Sequence, residues 1–305
     1  MNQESISQDS CPEPVILFIL GSPRVGSTVL FQLVINHFEC FFPSNSFNRK
    51  FQNQEVNLES FDMSPYLSPL EKVSYISDYG KTLHDGEPSE ASAFFGTFFG
   101  GEHPSEDKSK APLPDLAERF VEFCRSLYSQ SRKPLVFKNA WNCFRIRYLS
   151  QAIPKACFLW IRRDIADAAF SDLEARRKRG STNIWNSATT SDYLEIQKHP
   201  YWEQVVEQQY GYARRVGSDL SQFCRDRYFE VWYEDILVEP NLFLEKINNF
   251  LSPRGFTIRK RKIDRNDLRK SNKREKMLRC EDGAKILRFA ESEKFIDCKW
   301  TEKSL

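Results

Sequence analysis

Residues 15 to 28, Val-Ile-Leu-Phe-Ile-Leu-Gly-Ser-Pro-Arg-Val-Gly-Ser-Thr, run from a six-residue apolar strand straight into a glycine-bounded turn. Val29, Leu30, Phe31, Leu33, Val34 and Phe38 then continue as a mostly apolar helix. An apolar run of that length suits a buried parallel strand. A strand-to-helix turn aims backbone N–H groups at whatever lies before the helix, which favours an anion. Gly21 and Gly26 have the spacing of the triphosphate loop G-x-x-x-x-G-K-[ST], yet Ser27 stands where that loop has its lysine, and Arg24 is the only cation. Arg24, Val25, Gly26, Ser27 and Thr28 therefore suit a nucleotide whose 5′ group is smaller than a triphosphate, and a phosphosulfate fits. The bland alternative is a tight turn with a Ser/Thr cap.

The rest of the chain supplies the context that such a turn needs. Strands are expected at Pro134 to Lys138, Ala156 to Ile161 and Tyr228 to Trp232. Helices are expected at Leu116 to Leu127, Phe144 to Ile153, from Asp164 through Ala175, Trp202 to Phe223 and Leu242 to Leu251. Strands alternating with helices predict an α/β fold, a doubly wound, mainly parallel sheet with helices on both faces. Helical spacing also marks Pro69 to Leu83, with Leu70, Val73 and Ile76 on one side. Phe38 to Phe42 reads as a short strand. A polar tail over 1–14 precedes one domain over 15–305, with a long loop at about 84–114 expected to form a lid or substrate wall because of Phe94, Phe95, Phe98 and Phe99.

At 305 residues and 40% hydrophobic, the chain is long enough to bury a full core. No apolar stretch approaches the roughly 20 residues of a membrane span, and no basic stretch precedes Val15, so neither an anchor nor a signal peptide is expected. The eight cysteines form no C-x-x-C pair, which argues against zinc and a disulfide framework and for a cytoplasmic protein. Charge is uneven: residues 1–130 hold 9 Lys and Arg against 18 Asp and Glu, and residues 131–305 hold 35 against 24. The basic stretch 259–279 and Arg176 to Arg179 read as an anion-binding half or as solvated faces. No nucleic-acid-binding motif accompanies them.

A second anion site is legible around Arg163. It leaves the C-terminal end of a strand, where ligands bind in open α/β sheets. Ser171 follows eight residues on, about two turns into the next helix, so both can share one phosphate. A helix-start salt bridge is the plainer reading; a Walker-B-like strand end is the other, but a Walker-B Asp would directly end the apolar run and here two arginines intervene before Asp164.

Taken together, Pro23-Arg-Val-Gly-Ser-Thr28, Arg163 with Ser171, Val136-Phe-Lys138-Asn139 and Tyr233-Glu-Asp-Ile-Leu237 resemble the sulfotransferase superfamily that uses 3′-phosphoadenosine 5′-phosphosulfate (PAPS). The resemblance covers residues 15 to about 251. It implies a fold like that of nucleotide kinases and in-line sulfuryl transfer to a hydroxyl or amine, with adenosine 3′,5′-bisphosphate (PAP) leaving and no metal required. By the same resemblance, Arg24 to Thr28 bind the 5′-phosphosulfate, and Arg163 with Ser171 the 3′-phosphate. Tyr233, Ser271 and Lys273 contact the nucleotide, and Arg24 with Lys138 neutralises the leaving phosphate. A strand-end lysine paired with an acid is the other reading of Lys138.

The family's usual bases are missing. No His follows two residues after Lys138, and Ser44-Asn45-Ser46 occupies the region where other branches carry a Glu. Glu90, which adjoins the aromatic cluster, is the first candidate for the general base, followed by His84 and Glu87. A small-molecule acceptor with rings or sugar faces, as in metabolite tailoring, is expected from Phe94 to Phe99, Trp141, Trp185, Tyr193, Tyr201 and Trp202. Monomer and homodimer both stay open. The competing functions are a P-loop kinase-like phosphotransferase and a non-catalytic nucleotide-binding scaffold.

Overall fold

The computed structural model describes residues 13–52, 56–67, 72–77, 81–100, 114–260, 262–264, 268 and 273–301. Strands β1 (Ile16–Leu20), β2 (Leu135–Lys138), β3 (Ala156–Arg162) and β4 (Tyr228–Trp232) form a parallel sheet in the order β2-β1-β3-β4. Ile16 pairs with Leu135 on one side and Ala156 on the other, and Phe158 pairs with Tyr228. Parallel order demands helical crossovers. The helices are α1 (Ser27–His37), α2 (Asn45–Gln52), α3 (Ser92–Phe99), α4 (Pro114–Ser131), α5 (Ile146–Ala152) and α6 (Ile165–Lys178), then α7 (Tyr193–Ile196), α8 (Tyr201–Phe223), α9 (Tyr233–Val238), α10 (Pro240–Leu251), α11 (Lys273–Leu278) and α12 (Glu281–Ala290).

Side chains alternate across the sheet, so each face builds its own core. Ile16, Phe18, Leu20, Leu135, Phe137, Phe158 and Trp160 face α3, α4, α5 and α8. Leu17, Ile19, Val136, Leu159, Ile161 and Val231 face α1, α9 and α10. Phe18 lies between Phe137 and Phe158, its centroid 5.8 and 5.7 Å from theirs. The doubly wound sheet expected from the sequence is the one observed.

Three local expectations change. The phenylalanine run is a helix, α3, whose Phe94, Phe95, Phe98 and Phe99 are all buried against α4 and the sheet. It is core, not a lid, because those positions fall on one helical face. The described part of the predicted helix 69–83 is not helical. There Asn36 donates from Nδ2 to the Val73 carbonyl at 2.9 Å and accepts the Val73 N–H at 2.8 Å, taking both groups a helix would use. Phe38 and Phe41 make isolated bridges, not a strand. The expected tail lies outside the described residues except for Glu13 and Pro14.

Candidate active site

All four strands deliver chain to one cleft of about 880 Å³ at their C-terminal ends. Ser22 to Thr28 come from the exit of β1, Lys138, Ala140 and Trp141 from β2, Arg163 and Ser171 from β3, and Tyr233 from β4. This is where open α/β sheets hold ligands.

The loop after β1 is held in a demanding backbone shape. Arg24 has φ 76° and Gly26 φ 92°. Gly26 caps α1, and a Cβ there would lie 2.3 Å from the Tyr233 ring, so only glycine fits. Arg24, a non-glycine residue in the left-handed region, carries strain that surrounding contacts must offset. Gly21 N–H donates to the Cys143 sulfur at 3.3 Å. From α8, Gln209 accepts the Ser22 hydroxyl and donates from Nε2 to the Pro23 carbonyl at 2.9 Å.

The cations are tied to this loop. Arg163 Nη1 donates to the Arg24 carbonyl at 3.2 Å while its guanidinium stacks 4.8 Å from the Tyr233 ring centroid. Arg24 Nε donates to Ser171 Oγ at 3.4 Å. Arg163 Nε is buried and, among the described residues, has no hydrogen-bond partner. A buried donor left unmade is costly, so an anion at this point fits the residues present. Burial raises the Tyr233 hydroxyl above its usual range. Asp164 caps α6, accepting from the N–H groups of Ala166 at 3.1 Å and Asp167 at 3.3 Å. It is therefore occupied as a cap and is not a Walker-B-type ligand.

Lys138, the last residue of β2, donates from Nζ to Thr28 Oγ1 at 3.4 Å and pairs with the Glu90 carboxylate. The pairing of Lys138 with an acid is the arrangement observed, and its contact with Thr28 brings its ammonium to the loop. Glu90 stands just before α3, with its carbonyl accepting from Asn139 Nδ2 at 2.9 Å and the buried Ala91 behind it at φ 51°. The phenylalanines thus serve the site indirectly, by anchoring the helix whose entrance fixes Glu90.

The other base candidates are elsewhere. Glu87, 5% exposed, accepts from Ser74 Oγ at 2.9 Å, Leu83 N–H at 3.1 Å and His84 N–H at 3.4 Å. It closes a turn and does not line the cleft. His84 is exposed on that turn, beside the Arg49–Asp85 ion pair. Val25 is buried in the core with Ile161, close to Gly21, and does not line the cleft. Ser271 lies outside the described residues, and Lys273 is placed only as the first residue of α11. Of the aromatics expected to hold an acceptor, Trp141 lines the cleft. Trp185 packs edge-on to Tyr193 at 4.6 Å, and Tyr201 packs on Trp202 at 5.0 Å. Sequence reasoning missed Lys81, Ser92, Asn186 and Ser187 on the cleft wall and Gln209 behind it. None sits in a motif, and long separations in the chain hide their approach.

Fold and site together define a parallel α/β protein with arginine, lysine and hydroxyl side chains gathered in a cleft at its strand ends. The model of the Sulfotransferase family matches residues 14–254, and the chain belongs to that family. Among solved structures it is similar to a sulfotransferase from Mycobacterium tuberculosis, with TM-score 0.51 and 14% identity over 94% of this chain and 78% of that one. A sulfotransferase from Alicyclobacillus acidocaldarius gives 0.44 and 12% over 93% and 94%. The sulfotransferase domain from the curacin biosynthetic pathway gives 0.41 and 18% over 78% and 74%. Identities this low speak for the fold alone, and the mycobacterial match is the one that carries it. No curated protein matches the chain significantly. Among the described residues, no helix is long and apolar enough to cross a membrane.

Proposed function

We propose that this sulfotransferase takes its sulfuryl group from PAPS and passes it to a hydroxyl or amine of a small or mid-sized acceptor, releasing PAP. The observation that carries this reading is the convergence of Arg24, Arg163 and Ser171 on one end of the loop, with the unpartnered Nε of Arg163 among them. The 5′-phosphosulfate would be held by the N-terminus of α1 with Ser27 and Thr28, and the 3′-phosphate by Arg163 and Ser171, with Tyr233 beneath. The acceptor atom forms its bond to sulfur as the bond from sulfur to the 5′-phosphate oxygen breaks. The acceptor proton passes to Glu90, and charge released on the phosphate is met by Lys138 and Arg24. In the resting pair Lys138 holds Glu90, and a donor that draws the ammonium away leaves the carboxylate able to take a proton. A kinase-like reading has less support, since Ser27 replaces the phosphate-binding lysine and Asp164 is spent on capping α6.

Thermal shift separates these readings. PAP at about 100 times its dissociation constant should stabilise the fold by roughly 2.7 kcal/mol, with little response to ATP and magnesium; the reverse ranking would refute PAPS use. Glu90→Gln should then keep the PAP shift while single-turnover transfer falls by about 10² to 10⁴. A rate within about threefold of the parent protein would remove Glu90 from the role of base.

A further inference from the structure

The cleft carries positive charge beyond the groups assigned to the donor. Ser171, Ala175 and Lys178 line it from one face of α6, four and then three residues apart, and Arg179 follows at the end of that helix. The donor phosphates are assigned to the stretch where Arg24 meets Ser171 and Arg163 meets Arg24. Lys178 stands seven residues further along α6, roughly 10 Å at 1.5 Å per residue. Past its two phosphates and its sulfate, a phosphoadenosine donor has only neutral adenine to offer, so it brings no fourth anionic group to that end.

Arg179 is positioned there by a chain of contacts reaching into the core. Its Nη1 donates to the Trp185 carbonyl at 3.3 Å and to Asn186 Oδ1 at 3.1 Å, both neutral acceptors. Among the described residues it has no carboxylate partner. Asn186 in turn donates from Nδ2 to Asp172 Oδ1 at 2.9 Å, and Asp172 is fully buried and paired with Arg176 at 3.0 Å. Ser187, next along, holds φ 65° and lines the cleft beside them. A buried ion pair thus fixes the amide that fixes the guanidinium, leaving donors of a planar fork available, the shape that pairs with carboxylates.

From this wall we infer that the acceptor is an acid: it carries a carboxylate that seats on Arg179 beside Ser187, while its hydroxyl or amine reaches toward Glu90 and Lys138. The inference rests on the donor placement above. Transfer of labelled sulfate from PAPS is to be compared across matched pairs: 4-hydroxybenzoate and its methyl ester, glucuronate and glucose, and an ω-hydroxy fatty acid and its methyl ester. The acid of a pair should be favoured at least tenfold in kcat/KM. Arg179→Ala should bring the ratio near one, Arg179→Lys should keep part of it, and Arg179→Glu should invert it, with PAP affinity by calorimetry unchanged throughout. Equal rates within every pair, transfer to neutral members alone, or no transfer to any acid overturns the inference. A tenfold loss of PAP affinity in Arg179→Ala also overturns it, by assigning the guanidinium to the donor. Failure of the unsubstituted protein to bind PAP would instead refute the donor reading itself.

Discussion

Glu234 is a carboxylate that the fold holds away from water. One oxygen accepts the Asp164 N–H at 3.0 Å, and the other has no partner among the described residues. Burial raises its pKa to about 7, against the opposing pull of that hydrogen bond and of Arg163. A carboxyl raised above its unfolded value contributes stability that is complete below about 4.5 and is lost as pH rises through about 7, on the order of 3 kcal/mol across the window. Glu234→Gln keeps the acceptor for Asp164 and removes the titration. Its Tm should exceed the parent's at pH 8 and converge with it near pH 4.5; melts that run parallel across this range would contradict the assignment. The sequence located Tyr233 through its motif but held no sign of what its neighbour's charge would meet. Glu87 and Glu90 teach the same lesson at three residues' separation: composition cannot say which carboxylate closes a turn and which faces a cleft.

Among the elements, α8 was legible in outline and not in purpose. Its period fixes a long amphipathic helix, but the contact of Gln209 with Ser22 and Pro23 spans more than 180 residues and leaves no trace in local pattern. Gln209→Leu would strip a buried hydroxyl and a partly buried carbonyl of their partner, costing about 1 to 3 kcal/mol. The loop it steadies should then bind PAP several-fold more weakly, while Gln209→Asn should retain part of the affinity; calorimetric affinities unchanged in the leucine variant would dismiss the clamp. The helix α3 was misread for the opposite reason. Its phenylalanines at 94, 95, 98 and 99 carry a helical stripe, but the glycines and prolines around them outweighed it as punctuation.

For the whole molecule, the segment past the family match packs on the side of α6 away from the cleft. In α11 and α12, Met277, Ile286 and Ala290, with Phe295 beyond them, pack on Ile165, Phe170, Val205 and Val206. Arg274 pairs with Asp167 at 2.8 Å and Asp164 at 3.5 Å, Lys276 with Glu174, and Arg177 with Asp282. Part of the basic stretch read from the sequence as anion-binding is thus spent on acids of α6, and a count of charges cannot show its partners. Truncation after residue 272 would uncover this apolar face, and the loss of several large side chains at 2 to 5 kcal/mol each should lower Tm by more than about 10 °C. A truncated chain melting within a few degrees of the parent would show the segment to be dispensable. The cleft itself is assembled from the exit of every strand, so no hairpin or half of the chain contains it. Nucleotide binding should therefore be coupled to global unfolding, not to local opening: saturation with PAP would slow amide exchange in β1, β2, β3 and β4 by one common factor, as a single cooperative unit.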